Sequence, residues 1–510
     1  MPFDASWGIL ERRRPIDPVT TAILDPHLTR FEGLPILDRE ALDKAFSIKD
    51  PALNFMPHMR RLIARGVVDG CVHLFDAKQG VLPTGLFLKA SKVLPGLQVV
   101  DNRLQDLQGA WEAAKVAIRT VSLNGITPRE EQRAAAISMV EHRRGVVTIA
   151  TNGGKTPVGS LVAKAIGLKT LWVVERKALL HQTAEELEGY LGIPVGKIGD
   201  GVRRHAPQLT VAMAQSIRPR KREWQDFLAQ FHVVIFDEAH HLANDTEQAI
   251  GRACCNAVFR YAMTGSLPKD QIKALKIMGQ TDCIQLYNIT NKELIEAGHS
   301  ASPEVRPVII QHKNVVEFYP PPEGQEYPVK IPYADMYQQL VCGNPRYDDI
   351  VAAEMKAWVD KGLSTFVVVD RVKQGERLAR LLNDKGVKCE FLYGNHSGQY
   401  RMEKIRDFKV GLLPCIVATN IFDEGVNVPR IQALILAGAG KSSVKLLQRV
   451  GRALRRKEGL AENIAFIVDF MHRGDRYGDR HSAARMKIYQ GEGFDVREGG
   501  QHVIDHSPSA

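Results

Sequence analysis

The sequence predicts an α/β protein: a small N-terminal α+β module, then two units each built on a doubly wound parallel sheet. Three observations predict it. Short runs of apolar and β-branched residues recur with helical stretches between them, the pattern of buried parallel strands joined by crossover helices. One such run, 146–150, ends abruptly in Asn152-Gly153-Gly154-Lys155-Thr156, and a helical pattern follows from about Ser160. The first 110 residues lack this alternation and are punctuated by Pro2, Pro15, Pro18, Pro26 and Pro35.

In residues 1–110 a helix is expected at 39–46, starting from Asp38 as its cap. Residues 72–75 alternate apolar and polar, Lys78-Gln79-Gly80 suits a turn, and a second apolar run follows, so a β-hairpin is expected at 70–90. The basic residues Arg60, Arg61, Arg65, Lys78, Lys89 and Lys92 suit either nucleic-acid phosphates or a solvated surface. The first α/β unit is expected over 111–335, with strands at 146–150, 170–174, 210–214, 233–236 and 260–264 and helices at 178–190 and 224–230. The second is expected over 336–490, with strands at 365–369, 389–392, 415–418 and 433–436 and a helix at 444–454. The Pro-rich stretch 319–328 reads as an exposed connection between them, and the Gly-, His- and Ser-rich residues 491–510 as a flexible tail.

Composition bounds the function. The 510 residues are 44% hydrophobic and 25% charged, too many for one core and free of repeats or low-complexity tracts. Lys+Arg 68 against Asp+Glu 58 leaves a net charge of +10, which fits a polyanionic partner and equally a solvated positive face. The seven cysteines are scattered without CxxC spacing, which argues against a structural zinc site or a disulfide framework and for a reducing compartment. No signal peptide and no membrane-spanning run is read, so a cytoplasmic location without a membrane partner is expected, that of a host cell if the chain is phage-encoded.

Strand, glycine-rich turn and helix in that order form a phosphate cradle. Backbone N–H groups and the helix start face an anion, Lys155 reaches the β/γ-phosphates, and the Thr156 hydroxyl can ligate Mg²⁺. The full pattern wants Gly where this chain has Ile149. Alone, the motif fits nucleotide binding or a tight turn followed by a solvated lysine. Further on, four apolar residues end in Asp237-Glu238, putting two carboxylates at the C-terminal tip of a strand, the edge where open α/β sheets bind ligands. One carboxylate can hold Mg²⁺ while the next orients and deprotonates water, as phosphoanhydride hydrolysis requires. Arg449, Arg452 and Arg455 are spaced by three, so Arg452 and Arg455 can share a helix face. Such a face is commonly solvated or bound to nucleic acid; beside the other two elements it suits charge developing on a γ-phosphoryl group.

ATNGGKT (150–156), DEAH (237–240), TGS (264–266), VATNIFDEGVNVP (417–429) and QRVGRALR (448–455) together resemble the ordered motifs of the superfamily 2 helicases. The resemblance implies two RecA-like lobes with ATP and Mg²⁺ between them and nucleic acid across their top. It implies an adenine-reading pair at Arg129 and Gln132. Thr151, Asn152, Gly153, Gly154, Lys155 and Thr156 become the phosphate loop. Asp237 becomes the metal holder with Thr156, and Glu238 the catalytic carboxylate. Thr264 and Ser266 become the link between ATP state and strand grip. Gly425 faces the nucleotide, Gln448 senses the γ-phosphate, and Arg452 and Arg455 take the finger positions. Asn152 departs from the usual Gly and Asn427 from the usual Asp; the first alters the loop, although Asn tolerates positive φ well, and the second touches a ribose contact. Strand contacts are implied at Arg176, Lys177, Gln215, Ser216, Asp370, Arg371 and Thr419, through phosphates and without reading base sequence. The basic loop Arg218-Pro219-Arg220-Lys221-Arg222 near them is either a DNA-binding element or solvated.

The segment RRLIARGVVDGCVHLFDAKQGVLPTGLF is similar to the accessory domain of phage branch-migration helicases of the UvsW type. That likeness implies an ATP-driven DNA helicase or translocase acting on forked or four-way DNA, in branch migration, fork regression, recombination and repair. It implies a monomer working beside replication and recombination proteins. An RNA helicase or a restriction-type duplex translocase is the alternative of the same class. A non-catalytic DNA-binding protein with a relic nucleotide site is the alternative of another.

Overall fold

The computed structural model describes residues 20–104, 106–268, 270–321, 327–419, 431–438 and 463–507, and within 439–462 only 446, 449–451, 453 and 454; of Asn54 it describes the backbone alone. The chain divides into two compact units, the first made of 1–149 and 154–288 and the second of 150–153 and 289–510. Among the described residues no helix is long and apolar enough to cross a membrane.

The first unit carries two sheets. The smaller has four strands in the order Val81–Pro83, Leu28–Glu32, Thr21–Leu24, Gln98–Asp101, the last pair parallel. Its core (Ala22, Leu24, Phe31, Leu42, Leu82, Leu86) continues into Leu275 and Met278 of the Gln271–Gln280 helix, which belongs to the larger α/β layer. Gly85 marks how closely they approach: a Cβ there would lie 1.9 Å from the Met278 carbonyl oxygen, so no larger residue fits. Arg144, buried in the large sheet, donates to the Pro26 carbonyl (2.7 Å) and to that of Thr281 (2.9 Å). The N-terminal module is thus mounted on the α/β layer through shared core and a buried guanidinium.

The larger sheet has eight strands in the order Val202–Arg204, Val195–Gly199, Leu209–Met213, Thr170–Val174, Val233–Phe236, Phe259–Thr264, Arg144–Ile149, Gln285–Ile289. Its central pairings are parallel and its central strands wholly buried, as two-sided helical cover requires. In the second unit the order is Cys389–Leu392, Cys415–Ala418, Thr365–Val368, Ala433–Leu436, Ile464–Arg473, Ser302–Lys313, Asp495–Val496, with Gln501–Asp505 also pairing Ser302–Lys313. Buried Asp469 in this sheet is held by Arg485 (2.8 Å) and the Tyr489 hydroxyl (2.7 Å), so its charge is compensated where it sits.

Several expectations need correction. The tail is not loose: Gln501–Asp505 lies parallel to the long strand Ser302–Lys313, with Ile504 buried, because one alternating stretch suffices for a strand despite its polar composition. The second unit does not start at 336, since Ser302–Lys313 already runs beside Ile464–Arg473 in its sheet. Residues 319–328 do not connect the units either; Phe318–Tyr319 pairs with Val329–Lys330 inside the second, and 322–326 lie outside the described residues. The expected hairpin at 70–90 is reduced to a single antiparallel bridge, Asp76↔Val81, across the 77–80 turn; its flanking strands pair elsewhere, Cys71–His73 with Ser47–Lys49 and Val81–Pro83 with Leu28–Glu32. Pro35, not Asp38, stands at the N-cap position of the Ile36–Ala45 helix, with no side-chain cap bond, and Asp38 sits in its first turn, where a negative charge suits the helix dipole. Of the expected helix 444–454, residues 446, 449–451 and 453 are helical, and 444, 445, 447, 448 and 452 lie outside the described residues.

Candidate functional site

The Arg144–Ile149 strand runs into the glycine-rich turn, and the Lys155–Ile166 helix begins directly at Lys155, five residues earlier than the periodicity alone suggested. The turn needs left-handed backbone twice, at Asn152 (φ 73°) and at Gly154 (φ 85°). Asn is among the residues that accept this conformation. Residues 150–153 group with the second unit, where the Asn152 side-chain amide donates to the Gly451 carbonyl (2.8 Å).

Gln132 explains why Gly154 is glycine. Buried Gln132 accepts the Arg129 backbone N–H at 3.0 Å, closing the start of the Glu130–His142 helix. Its Nε2 lies 2.2 Å from where a Cβ on Gly154 would be, and Arg129 Nη2 lies 3.4 Å from the same point. Arg129 also pairs with Glu131 (3.4 Å). The two residues expected to read adenine therefore sit against the phosphate loop itself.

Val233–Phe236 delivers Asp237 and Glu238 to the C-terminal edge of the sheet. Asp237 is 8% exposed, its N–H bonds the Val173 carbonyl (3.0 Å), and its Oδ1 accepts the Glu238 N–H (2.9 Å). Glu238 sits at φ 49°, a conformation that costs a non-glycine residue about 1 kcal/mol or more and gathers at functional positions. Lys155 bonds Glu238 Oε1 and lies 3.8 Å from Asp237 Oδ1. Burial raises the Asp237 carboxyl above its ordinary value, against the pull of Lys155. Burial acts the same way on Glu238, but Lys155 and His240 outweigh it and hold that carboxyl below its ordinary value. Two adjacent carboxylates thus have unlike environments, the condition for giving them different tasks. Thr264 Oγ1 donates to the Ser266 carbonyl (2.9 Å), tying the TGS turn at the end of the strand beside Arg144–Ile149.

Four of the expected strand contacts lie on the same edge of this sheet. Arg176 and Lys177 follow Thr170–Val174, and Gln215 and Ser216 form the turn after Leu209–Met213, in register Val174↔Met213. Lys177 is held by Asp200 (2.5 Å), and Arg218 of the basic loop donates to the Gln215 carbonyl (2.5 Å). In the second unit Asp370 and Arg371 follow Thr365–Val368, and buried Thr419 follows Cys415–Ala418, the neighbouring strand. Asp370 is taken up internally: it accepts the Tyr337 hydroxyl (2.7 Å) and pairs with buried Arg449 (3.4 Å). It therefore braces its loop, and the charge that a phosphate would repel is compensated. Gly425, Gln448, Arg452 and Arg455 lie outside the described residues.

Sequence reasoning missed Glu175 and His241, which bond each other at 2.6 Å at the same sheet edge. The doubled histidine after Asp237-Glu238-Ala239 was the available signal.

Two family models match the chain: the type III restriction enzyme res subunit over residues 125–269, and the helicase conserved C-terminal domain over 348–457. Similar proteins include the ATP-dependent DNA helicase uvsW of Enterobacteria phage T4, 23% identical over 377 residues, with 71% of each chain covered. The DNA 3'-5' translocase XPB2 of Sulfurisphaera tokodaii is 23% identical, covering 67% of this chain and 81% of that one. Among solved structures, a fragment assigned to an HsdR subunit of a type I restriction enzyme from Vibrio vulnificus has the same fold, with TM-score 0.55, 16% identity and coverage of 78% and 71%. The chain resembles the superfamily 2 helicases, UvsW among them, and its two matched domains support ATP-driven unwinding or translocation of nucleic acid.

Proposed function

We propose that this motor remodels branched DNA, moving four-way junctions and regressing forks. The observation that carries this reading is the mounting of the N-terminal module. Its core is shared with the Gln271–Gln280 helix, which follows Thr264 and Ser266 in the chain, so a load on the module bears on the motor sheet. What the module offers outward is the Pro57–Ala64 helix, which has no fully buried residue. Residues 55–67 contain Arg60, Arg61 and Arg65 and no acid, beside Phe55 at 86% exposure. Arginines suit phosphates, and an exposed apolar tip suits opened base steps.

The chemistry follows from the first unit's edge. Lys155 moves from Glu238 to the β/γ-phosphate oxygens when ATP enters, and Glu238, released, orients and deprotonates the attacking water. The residues fit a nucleotide–Mg²⁺ pair on two counts: a loop closed against Gln132 leaves no room for a Cβ at Gly154, and a buried carboxylate, Asp237, faces the lysine. Thr156 and Asp237 would hold Mg²⁺, which supplies charge neutralisation on the phosphates. Arg129 and Gln132 hold the adenine side, and Thr151, Asn152 and Gly153 belong to the phosphate loop. Gly425, Gln448, Arg452 and Arg455 are assigned their nucleotide roles by their place in the motifs alone. Arg176, Lys177, Gln215, Ser216, Arg371 and Thr419 track one strand through its phosphates, with Asp370 bracing. The protein works as a monomer in the cytoplasm, beside replication and recombination proteins.

The test is ATP turnover with single-stranded DNA, linear duplex, a synthetic fork, a four-way junction and RNA. Fork and junction should stimulate most. Stimulation mainly by RNA would replace this reading with an RNA helicase, and stimulation mainly by linear duplex with a restriction-type translocase.

A further inference from the structure

Between the expected strand contacts and the ATP-site carboxylates lies a run of side chains with no part in the chemistry above. Glu175 directly follows the Thr170–Val174 strand, and Glu238 leaves the neighbouring strand at the same edge, in register Val173↔Phe236. One oxygen, Glu175 Oε2, is shared: Arg176 Nε lies 3.6 Å from it and His241 Nε2 lies 2.6 Å from it. The His241 ring packs on that of His240, with centroids 4.1 Å apart. His240 Nδ1 in turn lies 3.5 Å from Glu238 Oε2, whose partner oxygen is the one Lys155 holds.

The surroundings make this run responsive to charge. The hydrogen bond from His241 holds Glu175 below the ordinary carboxylate range, and burial pulls His240 down to about 4, so His240 is neutral at pH 7. Glu247, from the Asp245–Ala253 helix, is 4% exposed beside them, with one oxygen lacking a hydrogen-bond partner, and burial pushes it up to about 7. Glu175, Arg176, His240, Glu238, Lys155 and Glu247 are thus the charged and titratable groups around His241. A phosphate that draws Arg176 away removes the guanidinium from Glu175 Oε2 and leaves that oxygen to the His241 hydrogen bond alone. An exposed ion pair would contribute little; here both partners are 22% exposed and the shared oxygen ties their states together.

We propose that Glu175 and His241 are positioning residues that transmit strand occupancy at Arg176 to the setting of Glu238, and so determine how far nucleic acid stimulates ATP hydrolysis. This rests on the reading of Arg176 as a strand contact. Neither residue is assigned to ATP or to the strand in the reading above, so the pair acts on coupling rather than on either site alone.

The experiment compares Glu175→Gln, His241→Gln and the double variant with the parent in the full-length protein, using an oligodeoxythymidylate as the strand. Basal turnover and strand affinity should stay within about twofold of the parent. The stimulation factor should fall by about fivefold or more, and the double variant should lose no more than either single one. By reciprocity, the change in strand affinity caused by a non-hydrolysable ATP analogue should shrink by the same factor, which a merely structural role would not produce. Retained stimulation in either single variant overturns the coupling alone. Lost strand affinity, or lost basal turnover, overturns it in favour of a contact or a folding role. A parent protein that no nucleic acid stimulates overturns the functional reading as well.

Discussion

Replacing Gly154 by alanine tests the phosphate loop at its tightest point. Two separate costs follow. Alanine at φ 85° pays the left-handed backbone penalty of about 1–2 kcal/mol. In addition, its Cβ would lie 2.2 Å from Gln132 Nε2, and Gln132 is buried and bonded to the Arg129 N–H, so it cannot simply swing into solvent. Displacing it forfeits that hydrogen bond, about 1 kcal/mol more. The sum, about 2–3 kcal/mol of stability, is less telling than where it falls. Gln132, Arg129 and the start of the Lys155–Ile166 helix would shift together, and a misplacement of about 1 Å at reacting groups costs on the order of 10²-fold in rate. The control is Gly167→Ala at the other end of the same helix: φ is 67°, and nothing lies within 4 Å of the added Cβ. It should lose about 1 kcal/mol of stability by thermal or urea unfolding and keep its ATP turnover. If the two variants lose stability equally and both keep turnover, the contact with Gln132 has no role and the argument fails.

Glu238→Gln should lower ATP turnover by about 10²–10⁴-fold without weakening nucleotide binding, since the amide no longer competes as an anion for Lys155; turnover and nucleotide titration measure the two effects separately. Glu247 gives a pH signature. Its folded value of about 7 lies above the unfolded carboxylate value near 4.5, so the folded chain holds the extra proton across that window, and the stability this gives is lost as pH rises through it. Glu247→Gln should therefore gain stability over the parent at pH 8 and not at pH 5, with a ceiling of ~3 kcal/mol; equal differences at both pH values would refute the assignment. Changing Arg60, Arg61 and Arg65 together to alanine should weaken junction binding and reduce its salt slope by about 2–3, while ATP turnover without DNA stays at the parent level.

The strands at 170–174, 233–236, 415–418 and 433–436 were legible because a short run of apolar and β-branched residues has few other ways to be buried. Ser302–Lys313 was not, because it carries prolines and charges and is exposed along part of its length; only its long parallel pairing with Ile464–Arg473 identifies it. Gln501–Asp505 was hidden in the same way behind a composition that suggests disorder. The Val81–Pro83 run was visible as a strand, but its partner was not, since pairing depends on which edge is free after the rest has folded.

By itself the sequence determined the chemistry available: a glycine-rich turn before Lys155, adjacent carboxylates at a strand tip, and arginines spaced by three. Those are local facts of order and spacing, and local sterics and hydrophobic burial are enough to express them. Tertiary structure decided what each group meets. It put Gln132 against Gly154, gave Asp237 and Glu238 unlike environments, took up Asp370 with Tyr337 and Arg449, and joined Glu175 to His241. These contacts join residues far apart in the chain, and their strength depends on burial and distance, which no local pattern encodes.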